Sequence, residues 1–315
     1  MIATFAPVAR RLAPHALVLA ILLFIAAFSF LQPAFLKPEN LIGILRQVSL
    51  IGIMAVCMTF VIMTGGVDLS VGPVLAISGL AAFFTLEAGW PLPIGIAAGI
   101  AVGVAVGLAN GFLIAAFGLP PIIVTLAMLS IVRGTALIAG GPDLHAIRGH
   151  DSYTFIGAGS LWGIPMPIFL FGAVAAAVIF LQFATPLGVR VAAIGDNERA
   201  ARLSGHRVWA TKLVIYALSS AGAAFAGIIQ TTQVHTAAAT YGEFGTELDV
   251  IAAVVLGGTS LSGGHGSAAR TVLGVLFLGV INSGMNILNV PIDSQLIAKG
   301  VLIAAALAAA ERAKH

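Results

Sequence analysis

Ten long apolar runs, separated by short polar or proline-bearing breaks, leave this chain few folds to choose from. They lie near residues 12–32, 41–63, 70–87, 92–116, 120–139, 166–184, 212–232, 247–260, 268–289 and 294–310. A hydrocarbon core about 30 Å thick takes roughly 20 apolar residues of helix at a rise of about 1.5 Å each. Only 9% of the residues are charged and 59% are hydrophobic, whereas about 25% of a soluble domain is charged. The runs are continuous rather than alternating, which selects helices over the strands of a membrane β-barrel. The predicted fold class is all-α: a polytopic transmembrane helical bundle of about ten spans, one membrane domain over residues 1–315. The eighth run is short and ends on glycine, so it reads as a broken or re-entrant helix. Pro33, Pro38, Pro91, Pro93, Pro165, Pro167, Pro186 and Pro291 fall at or near run ends, as helix punctuation should.

One stretch breaks the apolar background. Gly188–Lys212 carries five of the 15 basic residues: Arg190, Arg199, Arg202, Arg207 and Lys212. Basic loops stay on the cytoplasmic side. With both termini also cytoplasmic, Arg10, Arg11, Arg270, Arg312 and Lys314 join them, while Lys37 and Arg148 fall outside. The run after Arg10 and Arg11 is too long for a secretory signal and reads as an uncleaved first span. The loop of about 141–165, with Asp143, His145, Arg148, His150 and Asp151, is then the outer surface a partner would meet. A formal charge of +3 sets topology and does not suggest nucleic-acid binding. The single cysteine, Cys57, lies inside an apolar run and has no internal disulfide partner.

Several patterns stand out within the runs. Gly95, Gly99, Gly103, Gly107 and Gly111 recur every fourth residue, a flat ridge for close helix packing, with Asn110 beside it. Gly65-Gly66-Val67-Asp68-Leu69-Ser70-Val71-Gly72 is echoed by Gly257-Gly258-Thr259-Ser260-Leu261-Ser262-Gly263-Gly264 in the pattern GGxxLSxG. Paired helix interruptions point to a transport pathway, so Gly65, Gly66, Asp68, Ser70, Gly257, Gly258, Ser260 and Ser262 are candidate pathway or gate residues. Asp68, Ser70 and Ser262 equally read as caps of the helices that follow. Arg46, Arg133, Glu87 and Lys299 sit near span ends, where they can snorkel. Glu243, Glu247 and Asp249 cluster before the eighth run and could face a partner or a polar solute. They and His235 make a poor metal set. There is no GxxxxGK[ST] phosphate loop, HExxH or CxxC, so catalytic and metal residues are none and any ATP is hydrolysed elsewhere.

Three stretches carry a family resemblance: MTFVIMTGGVDLSVGP at 58–73, AAIGDNERAARLSGHRVWATK at 192–212 and ELDVIAAVVLGGTSLSGGHGS at 247–267. With them the chain resembles the permease subunits of bacterial ABC importers of the ribose, xylose and arabinose type. The resemblance implies a multi-pass subunit of the bacterial inner membrane that translocates a monosaccharide. It further implies a separate ABC ATPase subunit that uses ATP and magnesium, a periplasmic sugar-binding protein and a second permease copy, in a homodimer or heterodimer. This chain would bind no cofactor itself. The ATPase-coupling residues would be Gly195, Asp196, Asn197, Glu198, Ala200, Ala201 and Gly205, on a short helix over 195–205 packed closely through its small residues. Against the EAAxxxG pattern of other ABC importers the AAxxxG part is intact, but Arg199 stands where Glu would be and Glu198 comes one position earlier. The alternative is an ion-coupled secondary carrier of a small polar solute, for which Asp68 is the one attractive ion site.

Overall fold

A computed structural model describes residues 16–242 and 245–312, with side chains except at 303 and 305–312. Arg10, Arg11, Glu243 and Lys314, and the side chain of Arg312, lie outside the described residues. The fold is an all-α bundle. Its helices are α1 (Ala16–Leu31), α2 (Pro38–Met63), α3 (Val71–Glu87), α4 (Leu92–Phe117), α5 (Pro121–Gly140), α6 (Asp151–Ala158), α7 (Met166–Ala184), α8 (Pro186–Asp196), α9 (Glu198–Leu203), α10 (Val208–Gln233), α11 (Thr246–Leu256), α12 (Ala268–Ile287) and α13 (Ile292–Arg312). Among the described residues six are long and apolar enough to cross a membrane: α2, α4, α5, α7, α10 and α12. The apolar helices α1 and α3 are shorter. Proline opens α2, α5 and α8, where its missing N–H costs nothing and its fixed φ suits the first turn. Two antiparallel two-residue strand pairs, His145–Ala146 with Thr236–Ala237 and Ser160–Leu161 with Ile164–Pro165, close loops at one end.

The core forms around α2, α10 and α12, which are the most buried of the six. The glycine stripe of α4 is a seam against two neighbours. A Cβ on Gly107 would lie 2.3 Å from the Tyr216 carbonyl oxygen of α10, and one on Gly99 would lie 2.7 Å from the Ser78 carbonyl oxygen of α3. Only glycine lets these backbones approach so closely. Thr59 of α2 and Thr271 of α12 share a hydrogen bond of 2.9 Å in the interior.

The eighth run is a half-helix. α11 has 11 residues, about 17 Å of rise, too little for a bilayer core. The chain before it, 236–242, folds into the bundle rather than over it. Arg133 of α5 holds it there, donating to the carbonyl oxygens of Ala239 at 2.5 Å, Tyr241 at 2.8 Å and Gly242 at 2.9 Å. A Cβ on Gly72, at the start of α3, would lie 2.5 Å from the Gly242 carbonyl oxygen and 2.1 Å from Glu247 Oε1. The first turns of α3 and α11 therefore meet inside the bundle.

Two expectations change here. Arg133 does not snorkel; a cation that can fork onto three main-chain carbonyls is better satisfied inside. Lys299 pairs with Asp249 at 2.9 Å, both partly buried, so Lys299 is held by a carboxylate rather than left to snorkel. Glu247 packs against the start of α3. Glu87 lies within 3.4 Å of His150.

Candidate functional site

Each glycine pair ends a helix in the same way. After α2, the N–H of Gly65 bonds to the Ile62 carbonyl (2.9 Å) and that of Gly66 to Val61 (3.1 Å). After α11, the N–H of Gly258 bonds to Val255 (2.8 Å) and that of Thr259 to Val254 (3.3 Å). Both are Schellman motifs, which need one residue in the left-handed region. That residue is Gly65 (φ 75°) in one and Gly258 (φ 84°) in the other. The sequence echo is thus displaced by one position in space. The paths also diverge afterwards, α3 starting at Val71 and α12 only at Ala268.

The two breaks meet the end of α8. The Gly264 N–H donates to the Met63 carbonyl at 2.9 Å. Gly195 sits on that bond: a Cβ there would lie 1.9 Å from Met63 O and 2.3 Å from Gly264 N. A Cβ on Gly263 would lie 2.8 Å from Gly195 O and 3.0 Å from Gly65 N, and one on Gly264 would lie 2.1 Å from Asp196 Oδ1. The Ser262 carbonyl approaches Gly65, and Ser260 Oγ accepts the Ser262 N–H at 3.3 Å. Gln182, at the end of α7, bridges the same junction. Its Nε2 donates to Gly266 O at 2.9 Å, and its Oε1 accepts the Ala268 N–H at 2.8 Å.

Asp68 and Ser70 lie deeper. Asp68 is fully buried. Its carboxylate accepts from the Ser70 N–H (3.0 Å), Ser70 Oγ (2.6 Å) and Ser219 Oγ (2.9 Å). Asn110 Nδ2 donates to Ser70 Oγ at 3.0 Å, and Thr125 Oγ1 donates to Val67 O at 3.1 Å. Ser219 is the twelfth residue of α10, about 17 Å along it. The carboxylate therefore clamps the buried start of α3 to α10, while α4 and α5 hold the flanking residues. Ser70 is the N-cap of α3 without a side-chain cap bond of its own. Ser262 caps no helix, because Ser267 does so for α12, accepting the Arg270 N–H at 3.4 Å. That corrects the capping expectation for Ser262: the loop is too long for it to reach a helix start.

The polar stretch after α7 is two helices, not one over 195–205. Asn197 interrupts it with an extended backbone, and its side chain caps α9 by accepting the Ala200 N–H at 3.0 Å. Glu198 pairs with Arg202 at 3.1 Å and, across to α10, with Lys212 at 2.7 Å. Burial alone would raise its pKa. The hydrogen bond and charge of Lys212, then those of Arg202, outweigh burial and hold the carboxyl below its ordinary range. Gly205 (φ 84°) closes α9 with a third Schellman motif, its N–H on Arg202 O (3.1 Å) and that of His206 on Ala201 O (3.0 Å). A Cβ on Gly205 would meet nothing, so Gly205 provides a backbone conformation rather than close packing. Ala201 faces inward with Ile194 and Val208, whereas Ala200 is exposed and Leu203 is 83% exposed. Arg199, Ala200 and Leu203 on α9, and the half-exposed Trp209 at the start of α10, are all exposed.

Sequence reasoning missed Gln182, Ser219 and Leu203. An amide in the last turn of an apolar run, next to a proline, was the one available signal for Gln182. Among the described residues no three His, Cys, Asp or Glu side chains gather to hold a metal ion.

Comparison with known proteins adds to this geometry. The family described as branched-chain amino acid transport system / permease component matches residues 40–307. The ribose import permease protein RbsC of Bacillus subtilis (strain 168) is 42% identical over 300 residues, covering 95% of this chain and 92% of that protein. RbsC of Escherichia coli (strain K12) is 40% identical, covering 90% and 89%. The L-arabinose transport system permease protein AraH of Escherichia coli (strain K12) is 40% identical, covering 92% and 88%. No solved structure matches the chain.

Proposed function

The chain belongs to the transport-system permease family that matches residues 40–307, and from that premise we propose that it is the multi-pass subunit through which an ATP-driven importer moves a monosaccharide. It is a transport component and not an enzyme. The ribose and arabinose named in its relatives make a pentose the first substrate to try. The proposed setting is the bacterial inner membrane, with ten spans (α1–α5, α7 and α10–α13), both termini cytoplasmic and α11 as the incomplete crossing. A cytoplasmic ABC ATPase using ATP and magnesium, a periplasmic sugar-binding protein and a second permease copy, identical or related, complete the importer.

The junction of Gly195 with Met63 and Gly264 carries this reading. An ATPase docked on the Arg199–Leu203 face would push on α9. Through Asn197 and Gly195 the push reaches both helix breaks at once, and through Glu198 and Lys212 it reaches α10. The gate would then be the chain between each break and the helix after it. Asp68 is a clamp inside this device, already holding three donors, and that favours the ATP-driven reading over the ion-coupled carrier. Mild-detergent purification from the native membrane, with mass spectrometry of the companions, tests the assembly. An ATPase subunit should co-purify; a chain recovered only with copies of itself would refute the proposal.

A further inference from the structure

A cleft of about 490 Å³ opens between α2, α10 and the start of α11, away from the Gly195 junction. It runs along α2 from Gly43 to Met54, about 17 Å. At Thr246 it reaches the first turn of α11, where α11 and α3 meet inside the bundle. Four long polar side chains line it: Arg46, Gln47, Gln230 and Gln233. No side-chain hydrogen bond or ion pair joins any of the four to another described residue. Arg46 Nε is buried with no partner. A buried polar group in a membrane bundle is costly unless satisfied; the unpartnered Arg46 Nε, with the partly buried Gln230 and Gln233 and the exposed Gln47 lining the same cleft, marks a place for a polar solute.

The chemistry narrows the class. Three carboxamides offer donors and acceptors in equal measure, which suits hydroxyl groups that both give and take hydrogen bonds. One guanidinium can fork onto two neighbouring hydroxyls. Met54, Leu50 and Leu75 supply an apolar wall for the C–H faces of a ring. Bound anions would leave the carboxamide oxygens unused. We infer that this cleft is the outer half-channel of the permease, in which Arg46, Gln47, Gln230 and Gln233 hold a neutral polyhydroxylated solute above the α3–α11 meeting point. The inference rests on the importer reading and adds the route to it.

Single cysteines test it in the intact importer, reconstituted with its ATPase and binding protein. The native Cys57 is buried and can stay. Gly43→Cys, where a Cβ would meet nothing, and Val234→Cys line the cleft without belonging to the four polar side chains, and both should react with a charged, membrane-impermeant methanethiosulfonate from the binding-protein side. ATP-dependent D-ribose uptake, measured before and after reagent on the same vesicles, should fall at least tenfold. Ile138→Cys, on the exposed surface of α5, should tolerate the same reagent. If one cysteine variant fails to insert, the other, elsewhere in the cleft, carries the test. Absence of labelling at both positions, or labelling with undiminished uptake, overturns the half-channel. Wild-type vesicles without ATP-dependent uptake would instead sink the importer reading, and the inference with it.

Discussion

Gly195 and Met63 touch backbone to backbone: a Cβ on Gly195 would lie 1.9 Å from the Met63 carbonyl oxygen, which already accepts the Gly264 N–H. No rotamer relieves such a contact, because both partners are main chain. Gly195→Ala should therefore shift α8 away from both helix breaks. Overpacking costs about 1–3 kcal/mol in a packed interior. The variant should melt lower in detergent and lose uptake at least tenfold while still reaching the membrane. Wild-type melting and uptake together would show that the junction is looser than described.

Glu198 gives a pH dependence with a definite sign. Its folded-state carboxyl titrates below the ordinary value of 4.5 because Lys212 and Arg202 outweigh burial. Its contribution to anchoring α9 is therefore fully present above 4.5 and is lost as pH falls through the lower folded value. The group is more than a third exposed, so screening limits the contribution to under about 1 kcal/mol. A spin label at Ser204→Cys should report the same mobility from pH 8 to 5.5 and greater mobility only below 4.5. Adding Glu198→Gln should remove that step. A transition near pH 6 would point to another group.

Asp68 should behave as a structural clamp. Asp68→Ala leaves the Ser70 N–H and the Ser219 hydroxyl without an acceptor, at about 1–3 kcal/mol each, so a large fall in melting temperature is expected. Asp68→Asn keeps one acceptor oxygen and should fall less. Collapsing the proton and sodium gradients should leave ATP-driven uptake intact. Loss of uptake on collapse would make Asp68 a coupling site after all.

Gly205 offers a test of conformation against packing. Its φ of 84° closes α9 in open space. Gly205→Ala should cost about 1 kcal/mol, whereas Gly205→Asn, which tolerates the left-handed region, should cost less. Equal uptake losses for both would place an ATPase contact at this position instead.

The crossing helices were legible because the bilayer demands long apolar runs and proline marks their starts. The run at 212–232 became α10, Val208–Gln233, and that at 92–116 became α4, Leu92–Phe117. The helix breaks were legible too, since a glycine pair after an apolar run has few other uses. Their relationship was not. GGxxLSxG reads as a strict repeat, yet Gly65 in one break and Gly258 in the other take the left-handed position. The convergence of Met63, Gly195 and Gly264 consists of main-chain contacts, which leave no periodicity in side chains. Arg133 looked like a residue near a span end because its partners are carbonyls of 239–242, more than a hundred positions away.

In the proposed importer, ATP hydrolysis in another chain drives transport through the α8–α9 pair. Proteoliposomes containing this permease, with the ATPase on one face and a sugar-loaded binding protein on the other, test it most directly. D-ribose should accumulate only when ATP and the ATPase are both present, and Gly195→Ala should lower accumulation at least tenfold in an assembled complex. Accumulation by the permease alone, driven by an ion gradient, would contradict the account.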